Sequence, residues 1–317
     1  MKVILIGPAA AGKTSLMRTT CLGYNFMKVA NLQPTKGISR ENFIFRGILE
    51  LNIWDLGGQE RYLERYFSDS QRELIFSEVT TALFMVDSSV VDPKVRDVFD
   101  KFLQNLREFS PQIDKMYVLL NKTDLPNARP DDNYQLLTNG LSEDLRKMIE
   151  FTPVSVKEGS AQHRLIEILD HEIEKSSLAM QKVGKIRYLL DQLKMNTLAE
   201  YLMFNQPDGL LIASTFGKFE SKPFKFMKFE LGTLDSNLYL IYEEVMQLLN
   251  ISNISPIRLS AIIFESKNSY VIVKEVTDNN ILMAVSKNKQ PEIFMGIIQA
   301  LTGDNFTQLK NYLQTTF

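Results

Sequence analysis

The sequence predicts an α/β protein in which a doubly wound parallel sheet is followed by a smaller α+β domain. Three observations support this prediction. Short apolar runs alternate with helix-length segments through the first half, a loop with Gly7 and Gly12 follows the first run directly, and a second alternation begins after a looser stretch from Ser176 to Gly184. With 317 residues, the chain is long enough for two hydrophobic cores.

The predicted strands of the first half are the apolar runs KVILIG, FIFRG, LELNIW, ALFMVD, MYVLLN and FTPVS. Most are separated by segments of helix length, which is typical of βαβ units. Arg164 to Lys175 has apolar residues at helical spacing and is expected to be the last helix of this domain. Ligands of such sheets bind beyond the carboxyl ends of the strands, so polar motifs at those ends are candidate site residues.

We predict a domain boundary that assigns residues 1–178 to the first domain and 179–317 to the second. The expected elements of the second domain are a helix over Ile186 to Leu198, a hairpin turning at Pro207, Asp208 and Gly209, a strand FKFMKFEL, a helix over Ser236 to Leu249, the strands LSAIIFES, SYVIVKEV and ILMAVS, and a helix opening near Pro291.

Composition disfavours several classes of function. The formal net charge is -2 and the Lys and Arg residues are dispersed, so nucleic acid is not an expected partner. A single cysteine, Cys21, cannot build a disulfide framework and fits a reducing compartment. No apolar run is long enough to span a bilayer and neither terminus carries a lipidation signal, so any membrane attachment is expected to come from a partner.

The loop after the first strand has the composition of a phosphate-binding loop. Gly7, Gly12, Lys13 and Thr14 stand at the required spacing between a predicted strand and a predicted helix. Its backbone N–H groups and the helix N-terminus attract phosphate oxygens, and Lys13 adds a point charge. Thr14 is a candidate magnesium ligand. Further expected nucleotide contacts in this loop come from Ala10, Ala11 and Ser15.

A second motif, WDLGGQ, follows the third predicted strand. Asp55 is expected to hold Mg²⁺ through water, and the backbone N–H of Gly58 reaches a γ-phosphate oxygen because no side chain intervenes. Gln59 is then placed to orient the attacking water. Thr35, in the polar stretch LQPTKGI, suits Mg²⁺ ligation and γ-phosphate sensing, so both loops are expected to order with triphosphate and relax without it.

The string NKTD after the fifth strand predicts which base is bound. A carboxylate at Asp124 accepts hydrogen bonds from N1–H and the exocyclic amine of guanine, whereas adenine offers neither donor. An unpaired buried polar group costs about 1 to 3 kcal/mol, which disfavours ATP. Lys122 is expected to lie across the base. The remaining residues expected at the base are Asn121, Ser155, Val156 and Lys157.

These motifs occur in the order and spacing of the Ras-like small GTPases. From Leu32 to Val79 the chain closely resembles the Gtr/Rag GTPases, particularly the RagA-like branch, including the strings RYF and SQRELIF. The resemblance implies a P-loop GTPase domain followed by a roadblock or longin-like domain that dimerises. The cofactors would be GTP or GDP with Mg²⁺, and Gln59, Lys13 and Thr35 would be the catalytic residues.

The resemblance further implies slow GTP hydrolysis, activating and exchange proteins, and nutrient-responsive signalling to the TOR growth kinase. The expected location is the cytoplasm, with recruitment to lysosomal or vacuolar membranes by a scaffold partner. The dimer partner stays open between a second copy and a RagC-like GTPase. The chain departs from the family pattern at Asn121, where a histidine is usual, and at Ala9 to Ala11, where related loops are richer in Gly or Ser.

Three other functions remain open on the sequence. The chain could be a scaffold that holds GTP without hydrolysing it, or a P-loop ATPase or nucleotide kinase, which Asp124 disfavours. It could also be an Arf-like or prokaryotic polarity-type GTPase, whose second domain normally comes as a separate chain.

Overall fold

A computed structural model describes residues 1–195, 197–216, 261–265, 267–286 and 288–316. The chain forms two compact units: Met1–Ile44 with Glu50–Glu172, and Phe45–Leu49 with Ile173–Phe317. Two predicted elements, the strand FKFMKFEL and the helix over Ser236 to Leu249, lie outside the described residues. In the described parts of the chain, no helix combines the length and apolar character needed to cross a bilayer.

The first unit is built on a six-stranded sheet with the order β2-β3-β1-β4-β5-β6. Its strands are β1 (Lys2–Ile6), β2 (Ile38–Phe45), β3 (Leu49–Leu56), β4 (Thr81–Asp87), β5 (Met116–Asn121) and β6 (Ile149–Pro153). The pairs β1–β3, β1–β4, β4–β5 and β5–β6 are parallel. All six predicted strands are therefore confirmed, and the parallel-dominant α/β class with them.

The helices of this unit are α1 (Lys13–Cys21), α2 (Phe26–Val29), α3 (Glu60–Tyr66), α4 (Arg72–Phe76), α5 (Lys94–Phe109), α6 (Pro130–Thr138), α7 (Glu143–Met148) and α8 (Ser160–Lys175). The core lies between the sheet and α5, where the Phe84 ring is 5.0 Å from that of Phe99 and 5.4 Å from that of Phe102. All three rings are fully buried. This packing fixes α5 against β4.

The second unit contains an antiparallel sheet with the order β8-β7-β11-β10-β9. Its strands are β7 (Ala199–Asn205), β8 (Leu211–Ser214), β9 (Ala261–Glu265), β10 (Tyr270–Thr277) and β11 (Asn280–Ser286). The helices described here are α9 (Ser177–Met195), α10 (Pro291–Ala300) and α11 (Asp304–Thr316). The predicted hairpin at Pro207 to Gly209 and the three later strands are confirmed.

Two elements of this unit differ from the sequence prediction. Helix α9 begins at Ser177, nine residues before the predicted start at Ile186, because Gly184 lies in open space inside the helix and does not end it. The chain after Pro291 forms two helices, since α10 ends at Ala300 and α11 begins at Asp304. The assignment of residues 1–178 and 179–317 to separate domains stays a prediction.

The turn between β2 and β3 belongs to the second unit. There the backbone N–H of Arg46 donates to Asp208 Oδ2 at 2.8 Å, and the N–H of Leu210 donates to Asp208 Oδ1 at 2.9 Å. Burial raises the pKa of the Asp208 carboxyl to about 6, against the hydrogen bonds from Leu210, Asn205 and Arg46 that lower it.

Candidate functional site

The loop between β1 and α1 forms one end of a cavity of about 630 Å³. Gly12 precedes α1 in the left-handed region with φ 97°, and a β-carbon there would stand 2.5 Å from Asn121 Nδ2. Glycine is therefore required both for the backbone conformation and for the close approach. Ala10 also has a positive φ, at 61°, although it is not a glycine. Left-handed residues in a loop that leads into a helix N-terminus are typical of backbone sites that bind anions.

Lys13 is buried beneath this loop. Its Nζ donates to the carbonyl oxygens of Gly7 and Pro8, both at 2.8 Å. Burial lowers the pKa of the Lys13 ammonium to about 8, and Asp55 opposes that shift. A buried cation that has only neutral oxygens as hydrogen-bond acceptors would be stabilised by an anionic ligand in the cavity.

Thr14, Thr35 and Asp55 converge beside the loop from three different segments. The hydroxyl of Thr14 donates to Asp55 Oδ2 at 2.5 Å, the hydroxyl of Thr35 donates to the same oxygen at 3.1 Å, and the two hydroxyl oxygens are 2.8 Å apart. Asp55 Oδ1 is buried and has no hydrogen-bond partner among the described residues. Burial raises the pKa of Asp55, while the Thr14 hydroxyl and Lys13 lower it.

This set of oxygen atoms fits a magnesium ion. Carboxylate and hydroxyl oxygens are the ligands that hard divalent cations prefer, and a cation would neutralise the buried carboxylate. Within this set of oxygen atoms, Oδ1 of Asp55 is free to ligate a metal, because it has no hydrogen-bond partner among the described residues. Within the described residues, the three side chains predicted to ligate the metal are therefore adjacent.

The segment after β3 lies against the phosphate loop. The N–H of Gly57 donates to the carbonyl oxygen of Gly37 at 2.9 Å, which joins the segment that follows Thr35 to the segment that follows Asp55. A β-carbon at Gly58 would come within 3.0 Å of Pro8 and Ala9. Gln59 lines the cavity and immediately precedes α3. The two candidate switch segments are thus in direct backbone contact.

The other end of the cavity is formed by the loops that follow β5 and β6. Asn121 Nδ2 donates to the carbonyl oxygen of Ala11 at 2.8 Å, and Asn121 Oδ1 accepts from the N–H of Val156 at 3.1 Å. The Ser155 hydroxyl donates to Asp124 Oδ1 at 2.6 Å, and Lys157 Nζ is 3.8 Å from Asp124 Oδ2. Asn121 therefore links all three loops.

The structure brings most of the predicted site residues together in this one cavity. The residues that line it include Ala10, Ala11, Gly12, Lys13, Thr14, Ser15, Thr35, Gly58, Gln59, Asn121, Lys122, Asp124, Val156 and Lys157. Gly7, Asp55 and Ser155 lie behind them and contact Lys13, Thr14 and Asp124, respectively.

Sequence reasoning missed two groups of residues at the site. Apolar residues of the segment before Thr35, including Phe26, Val29 and Leu32, also line the cavity, although they carry no motif. Asp87, the last residue of β4, forms an ion pair with Lys122 at 2.6 Å. Its position at the carboxyl end of a predicted strand was the one available signal.

These observations define the class of the protein: the order of the six strands and the position of each motif are those of a small GTPase fold. The comparisons with known proteins agree. A family model described as the Gtr1/RagA G protein conserved region matches residues 2–218. The chain therefore belongs to the Gtr1/RagA family.

Individual relatives match to different extents. GTP-binding protein GTR1 of Saccharomyces cerevisiae is 26% identical over 326 residues, which cover 99% of this chain and 98% of the relative. Ras-related GTP-binding protein B of Rattus norvegicus is 28% identical over 176 residues, 46% of each chain. The solved structure of the Arl6 BBS3 small GTPase from Trypanosoma brucei, with a bound nucleotide analogue, aligns at 17% identity over 56% of this chain and 99% of that chain, with a TM-score of 0.43.

Proposed function

We propose that this chain is a Rag-type nucleotide switch that binds GTP and GDP with Mg²⁺ and hydrolyses GTP slowly. The observation that carries the proposal is the composition of one cavity. Asp124 and Asn121 stand at one end, and Lys13 stands at the other with the oxygen cluster of Thr14, Thr35 and Asp55 beside it. A nucleoside phosphate matches these two ends, because its base carries hydrogen-bonding edges and its phosphates carry negative charge.

At the phosphate end, Thr14, Thr35 and Asp55 would hold the metal. A bound Mg²⁺ would neutralise negative charge on the phosphates. Lys13 exchanges its carbonyl partners for phosphate oxygens, and the Gly58 N–H donates to the γ-phosphate. Gln59 orients the attacking water. These residues would position the nucleotide and the water and would stabilise the transition-state charge, without forming a covalent bond to the substrate.

Slow intrinsic hydrolysis follows from the charges around the cavity. Among the described residues that line it, the cations are Lys13, Lys122 and Lys157, and none is an arginine. An arginine supplied by an activating protein stabilises the transition-state charge and accelerates such reactions by about 10³ to 10⁵. We therefore expect an activating protein and, because the bound nucleotide bridges three loops, an exchange protein as well.

At the base end, Asp124 is the selective group. Its carboxylate is nearly buried and is already oriented by the Ser155 hydroxyl. Guanine offers two donors to such a carboxylate, and adenine offers none. The Lys157 N–H would donate to the guanine oxygen, and the Val156 N–H, which already donates to Asn121 Oδ1, would be shared with it.

Single-turnover GTP hydrolysis with Mg²⁺ tests this function. The wild-type chain should bind GTP and release phosphate slowly. Asp124→Asn should bind GTP much more weakly, whereas Asp131→Asn, a matched change at an exposed carboxylate of α6, should behave as wild type. Tight GTP binding with no phosphate release would instead indicate the non-hydrolysing scaffold.

We further propose that the chain dimerises through a roadblock-like second domain. The strand β9 ends the sheet of the second unit in the described part of the chain, and its Ile263 and Phe264 side chains are 49% and 43% exposed. Large exposed apolar side chains on an end strand favour pairing with another chain. The partner is a second copy or a RagC-like GTPase.

The mass of the chain in solution tests the dimer. Self-pairing predicts twice the 36.4 kDa of one chain. Phe264→Asp should then give the single-chain mass, and Met295→Asp, a change at a comparably exposed apolar residue of α10, should not. A wild-type chain that is monomeric alone and also when purified from its own cells would contradict both forms of the dimer.

Membership of the Gtr1/RagA family supports a role in amino-acid signalling to the TOR growth kinase at a lysosomal or vacuolar membrane, reached through a scaffold partner. The test is to replace the chromosomal copy with Gln59→Leu and measure phosphorylation of TOR substrates after amino-acid withdrawal. The role is supported if phosphorylation of the TOR substrates persists after withdrawal or is lost even before it. A response to withdrawal equal to that of the wild-type chain contradicts the role.

A further inference from the structure

Asp87 is the last residue of β4, and its partner in the register of β5 is Asn121. Both of its carboxylate oxygens are used. Oδ1 accepts from the Ser89 N–H at 2.9 Å and from the Ser89 hydroxyl at 2.6 Å, and Oδ2 accepts from Lys122 Nζ at 2.6 Å. Ser89 therefore fixes the orientation of the carboxylate independently of Lys122.

Lys122 approaches Asp87 from an unusual backbone conformation. Its φ is 66°, in the left-handed region that non-glycine residues seldom adopt. Its side chain is 31% exposed, against 16% for Asp87, and lines the same cavity as Asp124 and Leu125. The backbone conformation of Lys122 thus fixes the start of its side chain, and the ion pair with Asp87 fixes its ammonium group.

Asp87 is ionised in this environment. Burial raises its pKa, but the hydrogen bonds from Lys122 and Ser89 outweigh that effect and leave the pKa below its ordinary value. The pair is therefore an ion pair between a carboxylate and an ammonium group, which is stronger and shorter than a neutral hydrogen bond.

We propose that Asp87 is a positioning residue for base recognition: it holds the Lys122 side chain across the base end of the cavity before the nucleotide arrives. This inference rests on the proposed guanine-nucleotide binding. A lysine side chain has several rotatable bonds, so ordering it in advance favours binding by about tenfold. Asp87 itself contacts no part of the ligand and acts only through Lys122.

The alternative is that Asp87 only stabilises the end of β4, through its hydrogen bonds with Ser89 and without Lys122. The two possibilities differ in a double-mutant cycle. If Asp87 acts through Lys122, its substitution has no further effect once the ammonium group is gone. If it only stabilises the fold, the effect of its substitution is the same in both backgrounds.

The experiment measures the dissociation rate of radiolabelled GDP from the full-length wild-type chain, Asp87→Asn, Lys122→Met and the double variant. We expect about tenfold faster release from Asp87→Asn and no additional acceleration when it is combined with Lys122→Met. Asp100→Asn, which removes the carboxylate paired with Arg96 on α5, is the matched control and should release GDP at the wild-type rate.

Wild-type release from Asp87→Asn, or an equal acceleration in both backgrounds, would overturn the proposal. Should Asp87→Asn fail to fold, Ser89→Ala keeps it testable, because loss of one of the two Ser89 bonds should accelerate release in the wild-type background and not in Lys122→Met. A wild-type chain that binds no guanine nucleotide would refute the proposed function itself, whereas tight wild-type binding with unaffected variants would refute only this role of Asp87.

Discussion

Replacement of Gly58 by alanine tests the contact between the segment after β3 and the phosphate loop. The added methyl group would come within 3.0 Å of Pro8 and Ala9, whereas ordinary van der Waals contact begins at 3.4 Å. Because the obstructing atoms are backbone atoms, Gly58 must withdraw by about 1 Å, and a misplacement of that size costs about 100-fold in rate. Single-turnover hydrolysis should therefore fall by about 100-fold.

The same variant should keep its affinity for GDP, because Asn121 and Asp124 lie at the other end of the cavity. Gly184→Ala is the control, since a β-carbon at that position of α9 has no described residue within 4 Å. It should hydrolyse GTP normally and be slightly more stable, by up to about 1 kcal/mol. Wild-type hydrolysis in Gly58→Ala, with an unchanged unfolding midpoint, would refute the assigned role of this contact.

Three further predictions concern other parts of the chain. Gln59→Leu should slow single-turnover hydrolysis by about 100-fold or more while GTP stays bound, because the water loses the group that orients it; unchanged turnover would remove Gln59 from the mechanism. Chelation of Mg²⁺ should accelerate GDP release from the wild-type chain and have little effect on Thr14→Ala, and equal acceleration of both would show that Thr14 is not a ligand. The raised pKa of Asp208 should stabilise the fold fully below pH 3.8 and lose that contribution as the pH rises through about 6, since the folded chain binds the proton more tightly than the unfolded chain. Arg46 is the charged group that faces this carboxyl. Relative to Asp208→Asn, the unfolding free energy of the wild type should therefore fall by about 3 kcal/mol between pH 3.8 and about pH 6. A difference between the two chains that does not change with pH would contradict the raised pKa.

Much of the fold could be predicted because parallel strands buried on both faces are continuous apolar runs. Strands β1, β4 and β5 are of this kind. The N-terminal part of α9 could not be predicted, because the stretch from Ser176 to Gly184 lacks a clear helical pattern and the tolerance of Gly184 depends on the space around it. The break between α10 and α11 coincides with Leu301 to Gly303, and a glycine just after a helix is a stop signal that the sequence itself carries.

The candidate site could be predicted where its residues have special backbone or charge requirements. Gly12, Lys13 and Asp124 are of this kind, because a left-handed turn favours glycine and the binding of phosphate and guanine needs charged groups at fixed positions. Phe26 and its neighbours could not be found, since α2 is only four residues long and is too short to show a helical period. The Asp87–Lys122 pair becomes evident only when β4 and β5 are adjacent.

The central claim is that one pocket at the carboxyl ends of the sheet selects guanine through Asp124. Equilibrium competition between labelled GDP and unlabelled GDP or ADP on the nucleotide-free chain tests it most directly. The loss of two hydrogen bonds to a nearly buried carboxylate predicts that ADP competes at least about 100-fold more weakly than GDP. Equal competition by ADP would contradict the claim.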